Sequence, residues 1–321
     1  MGSDEVRDDV PLTNLDQPLF DGADATKRDL VDYLDAVRDR IIPELRDRPL
    51  SVMRVLRGRA PFMQKNVPKY TPPWVRTVPI WAEASKREVS YAVCDDRRTL
   101  LWLANQRAVE YHPTLLRAGD WEHPTYLVLD LDPPEGETFS LAVGAAHLVR
   151  QALADSGLSG AVKTSGAKGV HVFVPLDAEV TGEEAAAATR AIAARAERID
   201  PVLATTAYIV DDRHGKVFLD STRAGGATVV SAYSPRLRPG APVSFPVSWA
   251  EIDNVSPRDF TLHTAVDLLG GRDPWAEAMP EPQRLGADLV EEGRGIPVAR
   301  VQAMHEGKRR ARARRTAEET P

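Results

Sequence analysis

The stretch Tyr126-Leu127-Val128-Leu129-Asp130-Leu131-Asp132-Pro133-Pro134 decides how the rest of the chain is read. An apolar run of this kind forms a buried strand, and strand side chains alternate between faces. Asp130 and Asp132 therefore share one face, about 6 to 7 Å apart, while Leu131 points the other way. Two carboxylates at that separation repel unless a cation neutralises them, and hard oxygen ligands suit Mg²⁺ or Mn²⁺. Pro133 and Pro134 remove two backbone donors and stop the strand where the carboxylates emerge. Asp-Pro is also ordinary turn chemistry, so the pair alone leaves a metal site and a plain strand end both open.

A third carboxylate closes another strand in the same way, in Lys216-Val217-Phe218-Leu219-Asp220. Three convergent carboxylates, Asp130, Asp132 and Asp220, make a site for two metal ions of the kind used in nucleotidyl transfer, where the protein supplies geometry and charge. The second chemical element is Lys163-Thr164-Ser165-Gly166-Ala167-Lys168-Gly169-Val170-His171, a glycine-containing turn between strands. Its glycines let the backbone approach a ligand. Ser165, Lys168 and His171 offer a hydroxyl, a fixed charge and an imidazole donor to phosphate oxygens. It is not a P-loop, because it leads into a strand and lacks Gly-x-x-x-x-Gly-Lys-Ser/Thr. By itself the same turn also reads as a plain hairpin connection.

The charges are segregated. The formal net charge is −6 over 321 residues, yet Arg48 to Ala82 holds seven basic residues and no acidic one. Those residues are Arg48, Arg54, Arg57, Arg59, Lys65, Lys69 and Arg76, with Phe62, Tyr70, Trp74 and Trp81 interleaved. Basic side chains track phosphates and aromatic ones stack on unpaired bases. Ser221 to Ala250 is also free of acids and carries Arg223, Arg236 and Arg238. The lone cysteine, Cys94, excludes an intrachain disulfide and a Cys-rich zinc site, and reads as strand packing. No apolar run approaches the ~20 residues of a membrane span, and the acidic start lacks the basic and apolar regions of a secretory signal. A cytoplasmic protein without membrane attachment is expected.

Periodicity supplies the frame. The first ten residues are acidic and polar and are expected to be disordered. Leu30, Leu34, Val37, Ile41 and Leu45 form one apolar stripe, which predicts a helix starting near Thr26. Val89, Tyr91 and Val93 alternate as a strand, and Leu100 to Leu103 reads as a second strand or a short helix. Ser140 is placed to cap a helix that ends by Gly157, Val170, Val172 and Val174 form a strand, and Glu183 to Ile199 an alanine-rich helix. Ala227 to Tyr233 is expected as hairpin partner of the Asp220 strand, with closing helices over Thr261 to Leu269 and from Pro297 onward. Lys308 to Arg315 has six basic residues in eight and reads as a basic tail able to hold nucleic acid without reading it. Strands and helices mixed without strict alternation predict an α+β fold with a mixed, largely antiparallel central sheet flanked by helices. Residues 1–300 form the domain and 301–321 the basic C-terminal helix or tail.

Three segments in this order resemble a known family: Leu129-Asp130-Leu131-Asp132-Pro133, Thr164-Ser165-Gly166-Ala167-Lys168-Gly169-Val170-His171 and Phe218-Leu219-Asp220. They are similar to the polymerase domain of bacterial DNA ligase D and its stand-alone relatives, in the archaeo-eukaryotic primase superfamily. The likeness runs from Leu12-Thr13-Asn14 through Lys27, Phe62-Met63-Gln64-Lys65, Pro72-Pro73-Trp74 and Glu110-Tyr111-His112 to Tyr233-Ser234-Pro235-Arg236. It implies that Asp130, Asp132 and Asp220 bind two Mn²⁺ or Mg²⁺ ions and that Ser165, Lys168 and His171 hold the incoming triphosphate. His112 and Arg236 would lie around that nucleotide. Lys65 and Lys27 would face the DNA and a 5′-phosphate at a gap, alongside Arg57, Arg59 and the stacking candidate Phe62. As isolated histidines, His112 and His171 would be ordinary packed residues; only their place in the pattern raises them.

The implied activity is template-dependent addition of ribonucleotides or deoxyribonucleotides to primer ends at DNA breaks or short gaps. The implied partners are gapped or 5′-phosphorylated DNA, NTPs or dNTPs, a separate ATP-dependent DNA ligase and Ku, with the chain itself a monomer. Two departures stand out. Where relatives carry Asp-Tyr-x-Arg-Asn-x-Arg-Gly-x-Thr, this chain reads Asp220-Ser221-Thr222-Arg223-Ala224-Gly225-Gly226-Ala227-Thr228, and Gln64 stands where an acid commonly precedes the lysine. A metal-dependent phosphodiesterase or nuclease using the same aspartates, and a DNA-end-binding module without catalysis, remain the alternatives.

Overall fold

Tyr126–Asp132 is one of the two central strands of a six-stranded sheet, and its apolar residues explain that position. Leu127, Val128, Leu129 and Leu131 are all fully buried, on both faces of the strand. The structure is a computed structural model and describes residues 4–82, 86–136, 139–223 and 227–298. In chain order the strands are β1 (Glu5–Arg7), β2 (Val10–Leu12), β3 (Leu50–Arg54), β4 (Phe62–Gln64), β5 (Thr77–Ala82), β6 (Arg87–Ala92), β7 (Ala108–Pro113), β8 (Tyr126–Asp132), β9 (Ala161–Thr164), β10 (Val170–Pro175), β11 (Ala204–Thr205), β12 (Val217–Asp220) and β13 (Pro246–Val247). The main helices are α1 (Lys27–Ala36), α2 (Arg38–Leu45), α3 (Arg97–Asn105), α4 (Phe139–Ala154) and α5 (Gly182–Ile199), followed by α6 (Ala265–Leu269), α7 (Pro274–Ala278) and α8 (Ala287–Gly295).

The first sheet has the order β11-β12-β8-β10-β9-β13, and all its pairings are antiparallel except β11 with β12. The second has the order β4-β3-β6-β5, with β7 also pairing with β3. This is the α+β, largely antiparallel arrangement expected from the sequence. Helices α4 and α5 pack on the first sheet and against each other, and Ala145, Ala188 and Ala191 on them are fully buried. One hydrophobic core runs from Val10 to Leu289 and includes Cys94.

Four expectations are corrected. Residues 5–12 are ordered as the hairpin β1–β2, because Arg7 bonds Asp32 at 2.6 Å and the Leu15 amide donates to Asp4 at 2.7 Å. The helix capped by Thr26 breaks at Val37 into α1 and α2, although its stripe of Leu30, Leu34, Val37, Ile41 and Leu45 stays fully buried across the break. Ala227 to Tyr233 is no hairpin partner of β12: Val229 and Ser231 donate to Pro113 and Tyr111, so this segment runs beside β7. The strand β12 already has β8 and β11 as neighbours. Within Thr261 to Leu269 only Ala265–Leu269 is helical.

Elsewhere the patterns hold. Leu100 to Leu103 lies in the helix α3, and α4 begins at Phe139, one residue before the expected cap Ser140. The closing segment from Pro297 and the basic run Lys308 to Arg315 fall outside the described residues, apart from Pro297 and Val298 themselves.

Candidate active site

The site is built as a row across four strands. Lys163 on β9 lies directly opposite His171 on β10, His171 opposite Asp130 on β8, and Asp130 opposite Asp220 on β12. At about 4.8 Å per strand the row spans roughly 14 Å. Residues directly opposite in antiparallel strands project to the same side, so sheet register alone lines up an ammonium, an imidazole and two carboxylates. Asp132, two residues along β8, joins them on that face. The sequence paired the strand ends; the cross-strand row emerges only from the register.

The groups are bonded along the row. The Nε2 of His171 is 3.1 Å from Oδ1 of Asp130, and its Nδ1 is 2.9 Å from the Lys163 ammonium. Arg223 closes the other end, donating to Oδ2 of Asp130 at 2.9 Å and lying 3.2 Å from Oδ2 of Asp220. Thr222 donates to Asp220 from its backbone N–H at 2.8 Å and its hydroxyl at 2.6 Å.

Electrostatics separates the carboxylates. Burial works to raise Asp130, but His171, Arg223 and Lys163 outweigh it and hold the carboxyl well below its ordinary value. Asp132 goes the other way, pushed up to about 6 by burial and by repulsion from Asp130 and Asp220. Such a concentration of negative charge is short of cation, and Arg223 already stands on two of its members. Among the described residues no three His, Cys, Asp or Glu side chains stand arranged to hold a metal ion as they lie. An open, all-oxygen set with one or two carboxylates per ion is the arrangement that suits Mg²⁺ or Mn²⁺ shared with substrate phosphates. The donor chemistry of Asp130, Asp132 and Asp220 suits such ions, but Arg223 would have to leave Asp130 and Asp220 before one could be held.

The turn between β9 and β10 lies at the head of the row. Gly166 has φ +69°, and a Cβ there would come within 2.6 Å of the Arg236 side chain; one at Gly169 would come within 2.5 Å of the Leu131 carbonyl. Glycine thus lets the turn close against β8. Ser165 Oγ accepts from the amides of Ala167 and Gly169 at 3.2 and 3.1 Å, which leaves its own hydroxyl hydrogen to donate. Lys168 reaches outward to Glu135 at 2.7 Å, an exposed pair that costs little to break.

Arg236 ties the two sheets together. Its guanidinium donates to the Ser165 carbonyl and lies 3.2 Å from Oε1 of Glu110 on β7. Glu110 also bonds Nε2 of His112 at 2.8 Å and accepts the Leu237 amide at 2.8 Å. Burial opposes its charge, but His112 and Arg236 hold Glu110 down at about 2. His112 itself is lowered by burial, against the pull of Glu110. Thus the structure brings His112 and Arg236 together through a carboxylate to which the sequence assigned no role.

The basic surface divides. Arg57, Arg59 and Lys65 are exposed, with no ion pair among the described residues, and Phe62 is 37 % exposed beside them. Arg57 and Arg59 line an open cleft of ≈ 740 Å³ with Arg107, Arg238, Gln17 and Phe20. Other members of the basic run are structural. Arg48 donates to the Thr114 and Leu115 carbonyls, Arg54 to Gln106 and Gln64, and Arg76 pairs with Asp47 and Asp95. Lys27 is corrected as a DNA-facing residue. It is only 3 % exposed, its ammonium donates to the Thr13 carbonyl and Asn105 at 2.6 Å each, and burial with Arg107 brings it down to about 8.

The sequence pattern described as "LigD, primase-polymerase domain" matches residues 26–275. The chain belongs to the LigD primase-polymerase domain family. It is 34 % identical over 272 residues to the bifunctional non-homologous end joining protein LigD of Bacillus subtilis (strain 168), covering 83 % of this chain and 43 % of that protein. It is 30 % identical over 279 residues to the multifunctional non-homologous end joining protein LigD of Pseudomonas aeruginosa, covering 84 % of this chain and 33 % of the other. The chain thus spans less than half the length of these curated relatives. Its fold matches the polymerase domain from Mycobacterium tuberculosis ligase D, solved in complex with DNA, with TM-score 0.76 and 30 % identity, over 84 % of this chain and 96 % of that one.

Three residues bonded to the candidate site residues were not singled out from the sequence: Lys163, Glu110 and Arg223. Each lay within a quoted motif or acid-free segment. Their roles depend on what faces them across strands, which spacing along one strand cannot show.

Proposed function

We propose that this chain is a template-dependent nucleotidyltransferase that adds ribonucleotides or deoxyribonucleotides to primer ends at DNA breaks or short gaps. The observation that carries this reading is the row Lys163–His171–Asp130–Asp220, with Asp132 beside it, abutting the Ser165 to His171 turn. Anionic and donor groups stand side by side, as a reaction between a hydroxyl and a triphosphate needs.

Asp130, Asp132 and Asp220 would hold Mg²⁺ or Mn²⁺, which when bound supplies charge neutralisation for the transferring phosphoryl group and favours the deprotonated 3′-hydroxyl. The Ser165 hydroxyl, the His171 Nε2–H and, after leaving Glu135, the Lys168 ammonium orient the triphosphate oxygens. Arg236 fixes the turn that carries Ser165, and Glu110 fixes both Arg236 and His112. The exposed Arg57, Arg59 and Lys65 bind DNA phosphates, with Phe62 placed to stack on an unpaired base. A filled gap leaves a nick, so a ligase activity must follow.

A gapped duplex with a labelled primer, Mn²⁺ and NTPs tests the reading. Extension that stops when the template is consumed is the expected result. A shortened primer would instead mark a phosphodiesterase, and binding without any new product a non-catalytic end-binding module.

A further inference from the structure

Three buried polar atoms away from the carboxylates point to a second site. Among the described residues, Nε of Arg48, Oγ of Ser231 and Nε1 of Trp275 have no hydrogen-bond partner, although their residues are only 3 %, 5 % and 2 % exposed. A buried polar atom left unpaired is costly, so such atoms mark the place of a partner. All three residues, together with Glu44, Tyr126 and Phe173, line one cavity of ≈ 20 Å³. It lies between α2, α7, the segment beside β7 and the first sheet. Phe173 is two residues along β10 from His171 and so shares its face, and its ring meets that of Trp275 edge-on at 5.2 Å.

The donors and acceptors at its wall decide what the cavity holds. The two other nitrogens of Arg48 are already used, on the carbonyls of Thr114 and Leu115 and on the Thr125 hydroxyl, so Nε–H is the one left. The indole Nε1–H of Trp275 can only donate. The Glu44 carboxyl offers an oxygen that accepts in either protonation state; burial raises it, against the pull of Trp275 and Arg48. Neither Nε1 of Trp275 nor Nε of Arg48 bonds that carboxyl directly, the relation expected of groups joined through an intervening molecule. Two N–H groups at the wall exclude a metal cation, and the Glu44 carboxyl disfavours an anion. A water accepts two hydrogen bonds and donates two, and it needs roughly 10 to 15 Å³ and two to four polar partners.

We propose that this cavity is a built site for one water molecule, which accepts from Nε–H of Arg48 and Nε1–H of Trp275 and donates to the Glu44 carboxyl and to Oγ of Ser231. The water gives each of the three buried atoms a partner. It thereby joins the end of α2, the start of α7 and the segment beside β7, whatever reaction the carboxylates perform.

The test begins with a high-resolution crystal structure of the unaltered full chain. One water-sized density peak should stand within hydrogen-bond distance, about 2.7 to 3.2 Å, of Arg48 Nε, Trp275 Nε1, Ser231 Oγ and a Glu44 carboxyl oxygen. No peak there, or a cavity closed by a direct bond from Trp275 to Glu44, overturns the proposal. In solution, the Trp275 indole proton, identified by its loss in Trp275→Phe, should give a cross-peak at the water frequency. Its nuclear and rotating-frame Overhauser effects should have opposite signs, the mark of a water held for nanoseconds or longer. Effects of equal sign, which report proton exchange with bulk solvent, or the lack of a cross-peak overturn it. Ser231→Val sets an added methyl where the water stands, so the density peak and the cross-peak should both disappear and the indole proton should shift upfield as its acceptor is lost. A cross-peak that survives in Ser231→Val means that the water lies elsewhere, which overturns the proposal. Should Ser231→Val not fold, the two measurements on the unaltered chain still decide.

Discussion

Arginines at the carboxylate end of the first sheet and arginines on the loop after β3 are held in opposite ways. Arg223 and Arg236 are bonded into the site, one across Asp130 and Asp220, the other across Glu110 and the Ser165 carbonyl. Arg57 and Arg59 stand exposed on the loop after β3, without an ion pair among the described residues. A bonded guanidinium fixes the positions of the groups around it, and chemistry needs positions held to fractions of an ångström. An exposed guanidinium keeps its rotamers until a polyanion arrives, and suits a ligand gripped by its backbone irrespective of sequence. On the function proposed above, precision falls to the carboxylate site and grip to the loop after β3.

The largest effect should come from the precise end. Asp130→Ala or Asp220→Ala should lower single-turnover primer extension by about three orders of magnitude, the loss of several kcal/mol of charge stabilisation, while DNA affinity in a mobility-shift titration stays near that of the unaltered chain. Extension at an undiminished rate would break the contrast at its root.

Glu110 comes next, as the carboxylate that couples the sheets. Its ordinary value of 4.5 falls to about 2 in the fold, so the stability it contributes is present above pH 4.5 and drains away as pH falls toward 2. Glu110→Gln should therefore cost roughly 3 kcal/mol at neutral pH, measured by urea unfolding, with the deficit closing in acid. A deficit that is constant down to pH 3 would mean that the carboxylate's charge contributes nothing. Leu129→Ala, at a fully buried position in β8, should cost a comparable 2 to 4 kcal/mol by cavity formation, roughly independent of pH.

The gripping surface should show smaller, salt-dependent effects. Arg57→Ala, Arg59→Ala and Lys65→Ala should each weaken gapped-DNA binding by a few-fold and reduce the slope of log affinity against log salt by about 1. An unchanged slope would remove that residue from the phosphate contacts. The smallest effect belongs to Gln64, which accepts from Arg54 at 2.6 Å as a neutral group and leaves the charge of Arg54 uncancelled beneath Phe62, 5.9 Å from its ring. Gln64→Glu should lower DNA affinity by about twofold or threefold in low salt and by less in high salt, as partly screened charge does.

Much of this was legible along the chain. The apolar run of β8, the alternation in β10, the Thr26 cap of α1 and the three strand-end aspartates are local patterns, set by periods of 2 and 3.6 residues or by one side chain's reach. The hidden parts depend on distant neighbours. The ordered start needs Arg7 to find Asp32, the path of Val229 to Tyr233 needs β7, and Lys27 reads as a surface cation until Thr13 and Asn105 close over it. Lys163 is the clearest case. In sequence it opens the stretch that ends at His171, and in the fold its buried side-chain nitrogen lies 2.9 Å from Nδ1 of that histidine, directly opposite on the neighbouring strand.

The measurement that bears most directly on this division is primer extension across a one-nucleotide gap, taken at rising DNA concentration for two variants. For Asp130→Ala the rate should stay near zero at every concentration. For the combined Arg57→Ala, Arg59→Ala, Lys65→Ala variant it should be low in dilute DNA and approach the unaltered chain's rate at saturation. A triple variant that remains slow at saturating DNA, or an Asp130→Ala protein that recovers there, would contradict the account.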